Sequence, residues 1–203
     1  MKVIALDLET SGDDPQKHAV VQVGVVLADL SDGIKVVASK CWLVAPKMHY
    51  RKTDKPAREY SEVAKMIHGH SLENLIKDGI QPEQVVKEID EFIASNGFSG
   101  RSNIAYNSVF DQSFIKALLM DAAQFVYSEK EKRRTPQIPL NPFWGTWYDV
   151  YEQSRRKLKL DDYKLETVAA HYGLEQPAVH DALADAMLAL QVFYMNRGGS
   201  LSE

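Results

Sequence analysis

The chain has 203 residues, 45% hydrophobic and 26% charged, with a formal net charge of −4. Length and apolar content suffice for one core, so residues 1–197 are expected as a single domain followed by a flexible tail at 198–203. One cysteine, Cys41, excludes an internal disulfide, and no apolar run is long enough for a membrane span or a signal peptide; a soluble, cytoplasmic protein of open oligomeric state is expected.

Val3 to Leu6 is a short apolar run that leads into Asp7-Leu8-Glu9 and is closed by Ser11-Gly12, the pattern of a buried strand entering a turn. Side chains two apart on a strand face the same way, so Asp7 and Glu9 are expected side by side at its end. Two such carboxylates repel one another unless a cation compensates them. The pair reads either as part of a metal site or as solvated residues on an edge strand. Val20 to Ala28 and Lys35 to Val44, separated by Ser31-Asp32-Gly33, read as a hairpin that continues the first strand in a meander. Pro46 to Tyr60 is polar and basic and reads as a long loop. Gln81 to Ser95 reads as an amphipathic helix with Pro82 near its start and Asn96-Gly97 at its end.

Ser102 to Tyr106 is the fourth expected strand. It runs into Asn107-Ser108-Val-Phe-Asp111, where apolar residues at 110, 114, 115, 118 and 119 follow helical spacing. Ser108 is the expected N-cap; Asp111 either completes a capping box or contacts a metal, and a carboxylate has acceptor sites for both. Asn107 orients this junction or touches substrate, and Tyr106 and Phe110 are expected to pack rather than stack on bases. Tyr127 to Phe143 reads as a second long loop, and Thr146 to Val150 as a fifth strand. A helix from Lys164 stops at Gly173. The last helix is expected from Asp181 to Asn196, with Asp181 as N-cap, Asp185 one turn in, and His180 on the preceding loop, free to orient independently of Asp185. Basic residues cluster at Arg51, Lys52, Lys55 and Arg58, at Lys130, Lys132, Arg133 and Arg134, and at Arg155, Arg156, Lys157 and Lys159. Each cluster is a solvated surface or a phosphate contact, and the absence of a large basic domain argues against extended duplex binding.

Asp7-x-Glu9, Asn107-x-x-x-Asp111 and His180-x-x-x-x-Asp185 together resemble the three motifs of the DEDDh, or DnaQ-like, 3′-to-5′ exonucleases. Thr10-Ser11-Gly12, Ile67-His68-Gly69 and Leu165 to Gly173 supply matching context. The resemblance implies an α/β, ribonuclease H-like fold: a mixed five-stranded sheet, three strands in an antiparallel meander plus parallel strands, flanked by helices. It implies that Asp7, Glu9, Asp111 and Asp185 hold two divalent cations, Mg²⁺ or Mn²⁺, and that His180 is the general base of a hydrolysis releasing nucleoside 5′-monophosphates. Thr10 and Ser11 would meet the terminal 3′-hydroxyl. His68 would flank the terminal bases or is a polar helix-end residue, and Asn107 is a further candidate for substrate contact. The implied substrates are single-stranded or frayed 3′ ends, DNA favoured over RNA, with a polymerase as a candidate partner. The alternative from another class is a catalytically weak 3′-end-binding accessory module, which has no need of five ionisable residues matched to a two-metal reaction.

Overall fold

The computed structural model describes residues 1–49, 52–128, 133–175 and 180–200. Its strands are β1 (Lys2–Thr10), β2 (Val20–Asp29), β3 (Lys35–Leu43), β4 (Met48–His49), β5 (Lys52–Pro56), β6 (Ser102–Ala105), β7 (Gln124–Ser128), β8 (Arg133–Gln137) and β9 (Thr146–Asp149). Its helices are α1 (Glu62–His68), α2 (Leu72–Asp78), α3 (Pro82–Ser95), α4 (Ser108–Asp121), α5 (Val150–Lys157), α6 (Leu165–His171) and α7 (Ala182–Asn196). The main sheet has the order β3-β2-β1-β6-β9. β1, β2 and β3 form the expected antiparallel meander, β6 pairs parallel with β1, and β9 pairs parallel with β6. β1 is therefore the central strand, and the edge-strand reading of Asp7 and Glu9 falls away.

Alternation along β1 decides where the acidic pair lies. Ile4, Leu6 and Leu8 pack on one side with Val85, Ile89 and Ile93 of α3 and Phe114, Ile115 and Leu118 of α4. Val3 and Ala5 pack on the other with Val168 of α6 and Ala186, Leu190 and Phe193 of α7. The period of two carries Asp7 and Glu9 onto that second face, where the apolar row gives way to the first turn of α7. Val3, Ile4 and Leu6 are fully buried. At about 1.5–3 kcal/mol for each such aliphatic side chain, they hold the acidic end of the strand in place. On β2 the same face carries Val26 and Ala28, and the register places Gly24 and Gln22 next in that row.

The two expected long loops each contribute to a two-stranded hairpin instead: β4 pairs with β5, and β7 with β8. Phe125-Val126-Tyr127 is an aromatic and β-branched run that favours a strand, and Pro136 is tolerated because a two-stranded ribbon is all edge. α1, α2 and α5 are too short for periodicity to reveal. Side-chain caps start them: Ser61 accepts from the Val63 and Ala64 N–H groups, Ser71 from Asn74, and Asp149 from Glu152. Arg155, Arg156 and Lys157 form the last turn of α5, where cations suit the helix dipole. Arg58 pairs with Asp121 at 2.9 Å and is mostly shielded from solvent. Arg51, Lys130, Lys132 and the tail residues 201–203 lie outside the described residues. Among the described residues no helix is long and apolar enough to cross a membrane.

Candidate active site

Asp7 and Glu9 are half-buried at the end of β1. The β1–β2 register shifts between Glu9 and Thr10, an irregularity of the kind that re-aims side chains beside active sites. Burial first, then the charges of Asp111, Glu9, Asp185 and Asp181, raise the Asp7 carboxyl well above the ordinary carboxylate range. Burial, then Asp185, pushes Glu9 up to about 7 against an opposing pull from His180.

The start of α7 is docked onto β2. Asp181 caps the helix as the sequence predicts, its Oδ1 accepting from the Leu183 and Ala184 N–H groups at 3.1 Å each. Its Oδ2 accepts from Gln22 Nε2 at 3.1 Å, and Gln22 Oε1 accepts from the Ala182 N–H at 3.0 Å. Gln22 stands opposite Glu9 in the register, and Gly24 opposite Asp7. A Cβ on Gly24 would lie 2.2 Å from the Ala182 carbonyl carbon and 2.3 Å from the Leu183 nitrogen, so the helix can come this close only to glycine. The close approach at Gly24, with Ala186, Leu190 and Phe193 buried against the sheet, sets buried Asp185 over the strand end. Glu9, His180 and Asp185 then each present a ligand atom, all within 4.8 Å of one another. His180 is not independent of Asp185: its Nδ1 lies 3.3 Å from Asp185 Oδ2. The extended backbone of the cap residue, φ −139° and ψ 121°, carries the chain across the mouth of the helix, leaving the imidazole within reach of the carboxylate one turn in.

Asp111 enters from the other side, in the first turn of α4, and is 2% exposed. The expected Ser108 cap is not formed. Asn107 is the cap residue, in the left-handed conformation with φ 63° and ψ 57°, and its side chain makes no capping bond. Asparagine tolerates that conformation better than most residues. The Ser108 N–H and Oγ instead donate to Asp149 Oδ2 at 2.8 and 2.9 Å. Asp149 Oδ1 also accepts from the Glu152 N–H at 2.9 Å, so one carboxylate secures the starts of both α4 and α5. Asp111 is thereby free of the capping role. Burial raises its carboxyl well above the usual range, its own backbone N–H opposes this, and Asp149 adds to it. Phe110 packs on Phe114, with ring centroids 4.8 Å apart, and Tyr106 packs edge-on against Tyr151 at 6.0 Å.

The rim is built from the turn after β1. Thr10 Oγ1 donates to the Gly12 carbonyl at 2.7 Å. Ser11 is engaged throughout: its hydroxyl donates to the Glu59 carbonyl at 2.6 Å and accepts from the Ala19 N–H, and its own N–H and carbonyl bond Ala19 and Ser61. Gly12 is required by proximity, since a Cβ there would lie 2.5 Å from the His18 ring. His68 closes α1 and is 5% exposed, its Nδ1 accepting from the His70 N–H at 3.0 Å and its Nε2 buried. Its ring stacks on His70 with centroids 5.3 Å apart. Gln22, Gly24 and Asp149 are the residues that sequence reasoning passes over. The available signals were a glutamine and a glycine on the helix-facing row of an otherwise apolar strand, and an aspartate at a strand-to-helix junction.

Residues 4–193 match the family described as Exonuclease (RNase T). The chain belongs to the exonuclease family. This exonuclease is 26% identical over 190 residues to the PolC-type DNA polymerase III of Thermotoga petrophila and to that of Thermotoga maritima. The matches cover 94% of this chain but 11% of each polymerase. Among solved structures, E. coli exonuclease I in complex with a 5cy-dT13 oligonucleotide aligns with a TM-score of 0.67 at 16% identity, over 94% of this chain and 39% of that one. Exonuclease X in complex with 5′ overhanging duplex DNA aligns with a TM-score of 0.60 at 22% identity, over 98% of this chain and 94% of that one. The shared architecture is the ribonuclease H-like fold.

Two outcomes follow for the exonuclease from these contacts. A carboxyl whose pKa is higher folded than unfolded stabilises the fold fully below its unfolded value and loses that contribution as pH rises through the folded value. For Glu9 the window runs from 4.5 to about 7, and the raised carboxyls of Asp7, Asp111 and Asp185 act in the same direction. Thermal unfolding in chelator should therefore occur at lower temperature at pH 8 than at pH 5, and added magnesium should raise the transition more at pH 8. A metal-free transition that rises with pH over that range would contradict this electrostatic account. Gly24→Ala should displace the start of α7 and lower turnover on the order of 10²-fold, the effect of an ångström-scale misplacement in an active site. Parental turnover in Gly24→Ala would show that the close approach is dispensable.

Proposed function

We propose that this exonuclease hydrolyses terminal phosphodiesters from the 3′ end of single-stranded or frayed nucleic acid, DNA in preference to RNA, releasing nucleoside 5′-monophosphates. The observation that carries the reading is the cluster of Glu9, His180 and Asp185, whose ligand atoms lie within 4.8 Å of one another, with Asp7 near enough to feel the charges of Glu9, Asp185 and Asp111. Among the described residues these carboxylates make one ion pair, that of Asp185 with His180. Crowded, shielded carboxylates without a lysine or arginine partner suit hard divalent cations, and oxygen donors favour magnesium or manganese. Asp7, Glu9 and Asp185 would hold one ion and Asp7 and Asp111 a second. When bound, two such ions neutralise charge on the attacking and leaving oxygens of an in-line displacement.

The chain's own groups supply the rest. An Nδ1–H donated to Asp185 leaves His180 Nε2 as the nitrogen that takes the proton from the attacking water, and Asp185 then stabilises the charged ring. The turn at Thr10 to Gly12 shapes the pocket for the terminal nucleotide, with Ser11 holding the turn to Glu59 and Ala19. His68 lies against this turn, and Asn107 holds the entry of α4. The oligonucleotide and overhanging duplex bound to the two structural neighbours support single-stranded or frayed DNA as substrate. Similarity to part of PolC-type polymerases supports a DNA polymerase as partner. The test is end blocking: a 3′-phosphate should stop digestion of an oligonucleotide that is degraded when it carries a 3′-hydroxyl, and a closed circle should survive. Cutting of the circle would sink the end-directed reading.

A further inference from the structure

We infer that Gln22 is a positioning residue for the reaction, setting His180 over Glu9 by fixing the two residues that follow the histidine. Gln22 is 7% exposed within the strand sequence Val-Val-Gln-Val-Gly-Val-Val-Leu-Ala-Asp, and both ends of its amide are committed to the start of α7. An amide buried in an apolar strand is a net loss unless both ends are bonded, so its place here calls for a reason beyond sheet packing.

The bonds identify that reason. Asp181 already caps α7 through its other oxygen, so the helix does not need Gln22 in order to start. Asp185 is carried by a helix whose Ala186, Leu190 and Phe193 are buried against the sheet, so its place does not depend on Gln22 either. What the amide adds is the position of Asp181 and Ala182 relative to β2, directly opposite Glu9. The adjoining residue is His180, whose ring is half exposed and tied to Asp185 through Nδ1. Losing the Gln22 bonds would leave the metal-facing carboxylates in place and let the imidazole drift.

The inference rests on the exonuclease reading with His180 as base, and a double-mutant cycle separates the two. Gln22→Met preserves approximate volume and removes both hydrogen bonds. With a single-stranded oligonucleotide bearing a 3′-hydroxyl, in magnesium, its kcat should fall about 10- to 100-fold, with KM changed less than about threefold. In a His180→Ala background the same substitution should cost at most about a third of that factor, because the group it positions is gone. Circular dichroism and thermal unfolding establish that each variant is folded. Should Gln22→Met lose its cooperative transition, Gln22→Glu keeps the acceptor for Ala182 but sets a carboxylate against Asp181, and should show the same non-additive loss. Equal factors in both backgrounds, or parental kcat in the folded variant, would overturn the role of Gln22 alone. Parental kcat in His180→Ala itself would defeat the base assignment on which it rests.

Discussion

Asp7→Asn is expected to abolish magnesium-dependent cleavage, by on the order of 10³-fold or more, while making the metal-free protein more resistant to heat. The first effect follows from the place of Asp7 among the other acids, whose charges at Asp111, Glu9 and Asp185 all act on its carboxyl. On the proposed assignment Asp7 would be a metal ligand, and loss of such a ligand removes several kcal/mol of charge stabilisation in the transition state, each 1.36 kcal/mol being a factor of ten in rate. The second effect has the same origin. The half-buried carboxylate is held near four like charges, so neutralising it relieves repulsion that bound cations would otherwise offset. At this chain length the melting temperature should rise by about 2–4 °C for each kcal/mol relieved, measured in chelator at pH 8. Asp7→Asn that melts lower in chelator and still cleaves would contradict both the metal assignment and the electrostatics.

His180→Ala should lower kcat by about 10²- to 10⁴-fold, the range for loss of a general base, with a smaller change in KM. The histidine is half exposed, so unlike Asp7 it can be truncated with little effect on unfolding. The diagnostic measurement is the pH–rate profile, from which the limb belonging to the base should disappear in the variant. A slower enzyme with an unchanged profile would show that the 3.3 Å contact with Asp185 serves structure rather than proton transfer.

Residues whose roles follow from local periodicity were legible before any coordinates. Asp7 and Glu9 could be paired because strand side chains repeat every two residues, and Asp181 could be assigned as a cap because it precedes a run of helix formers. The same reading found the meander, the fourth and fifth strands and the final helix, while the parallel pairing of those strands was implied by the family resemblance. It failed where a partner distant in sequence decides the outcome. Ser108 has a good local capping pattern, yet Asp149, 41 residues away, takes its N–H and hydroxyl, and Asn107 turns left-handed in its place. The two polar segments read as loops because their strands are two to five residues long and, among the described residues, pair as isolated hairpins outside the main sheet. His180 gave no sign of its tie to Asp185 because a loop residue has no fixed direction until the chain around it is placed. Gln22 and Gly24 matter only because α7, about 160 residues later, lands on them.

Four carboxylates and one histidine are proposed to direct metal-dependent hydrolysis at a 3′ end. Digestion of one oligonucleotide, labelled in separate samples at its 5′ and 3′ ends, tests it most directly, with magnesium and with chelator, in DNA and RNA versions. In magnesium the 3′-labelled strand should release its label as a mononucleotide at the earliest times, while the 5′-labelled strand shortens stepwise, DNA faster than RNA, and chelator should stop both. Early release of the 5′ label, internal fragments, or undiminished cleavage in chelator would rule out metal-dependent attack at the 3′ end.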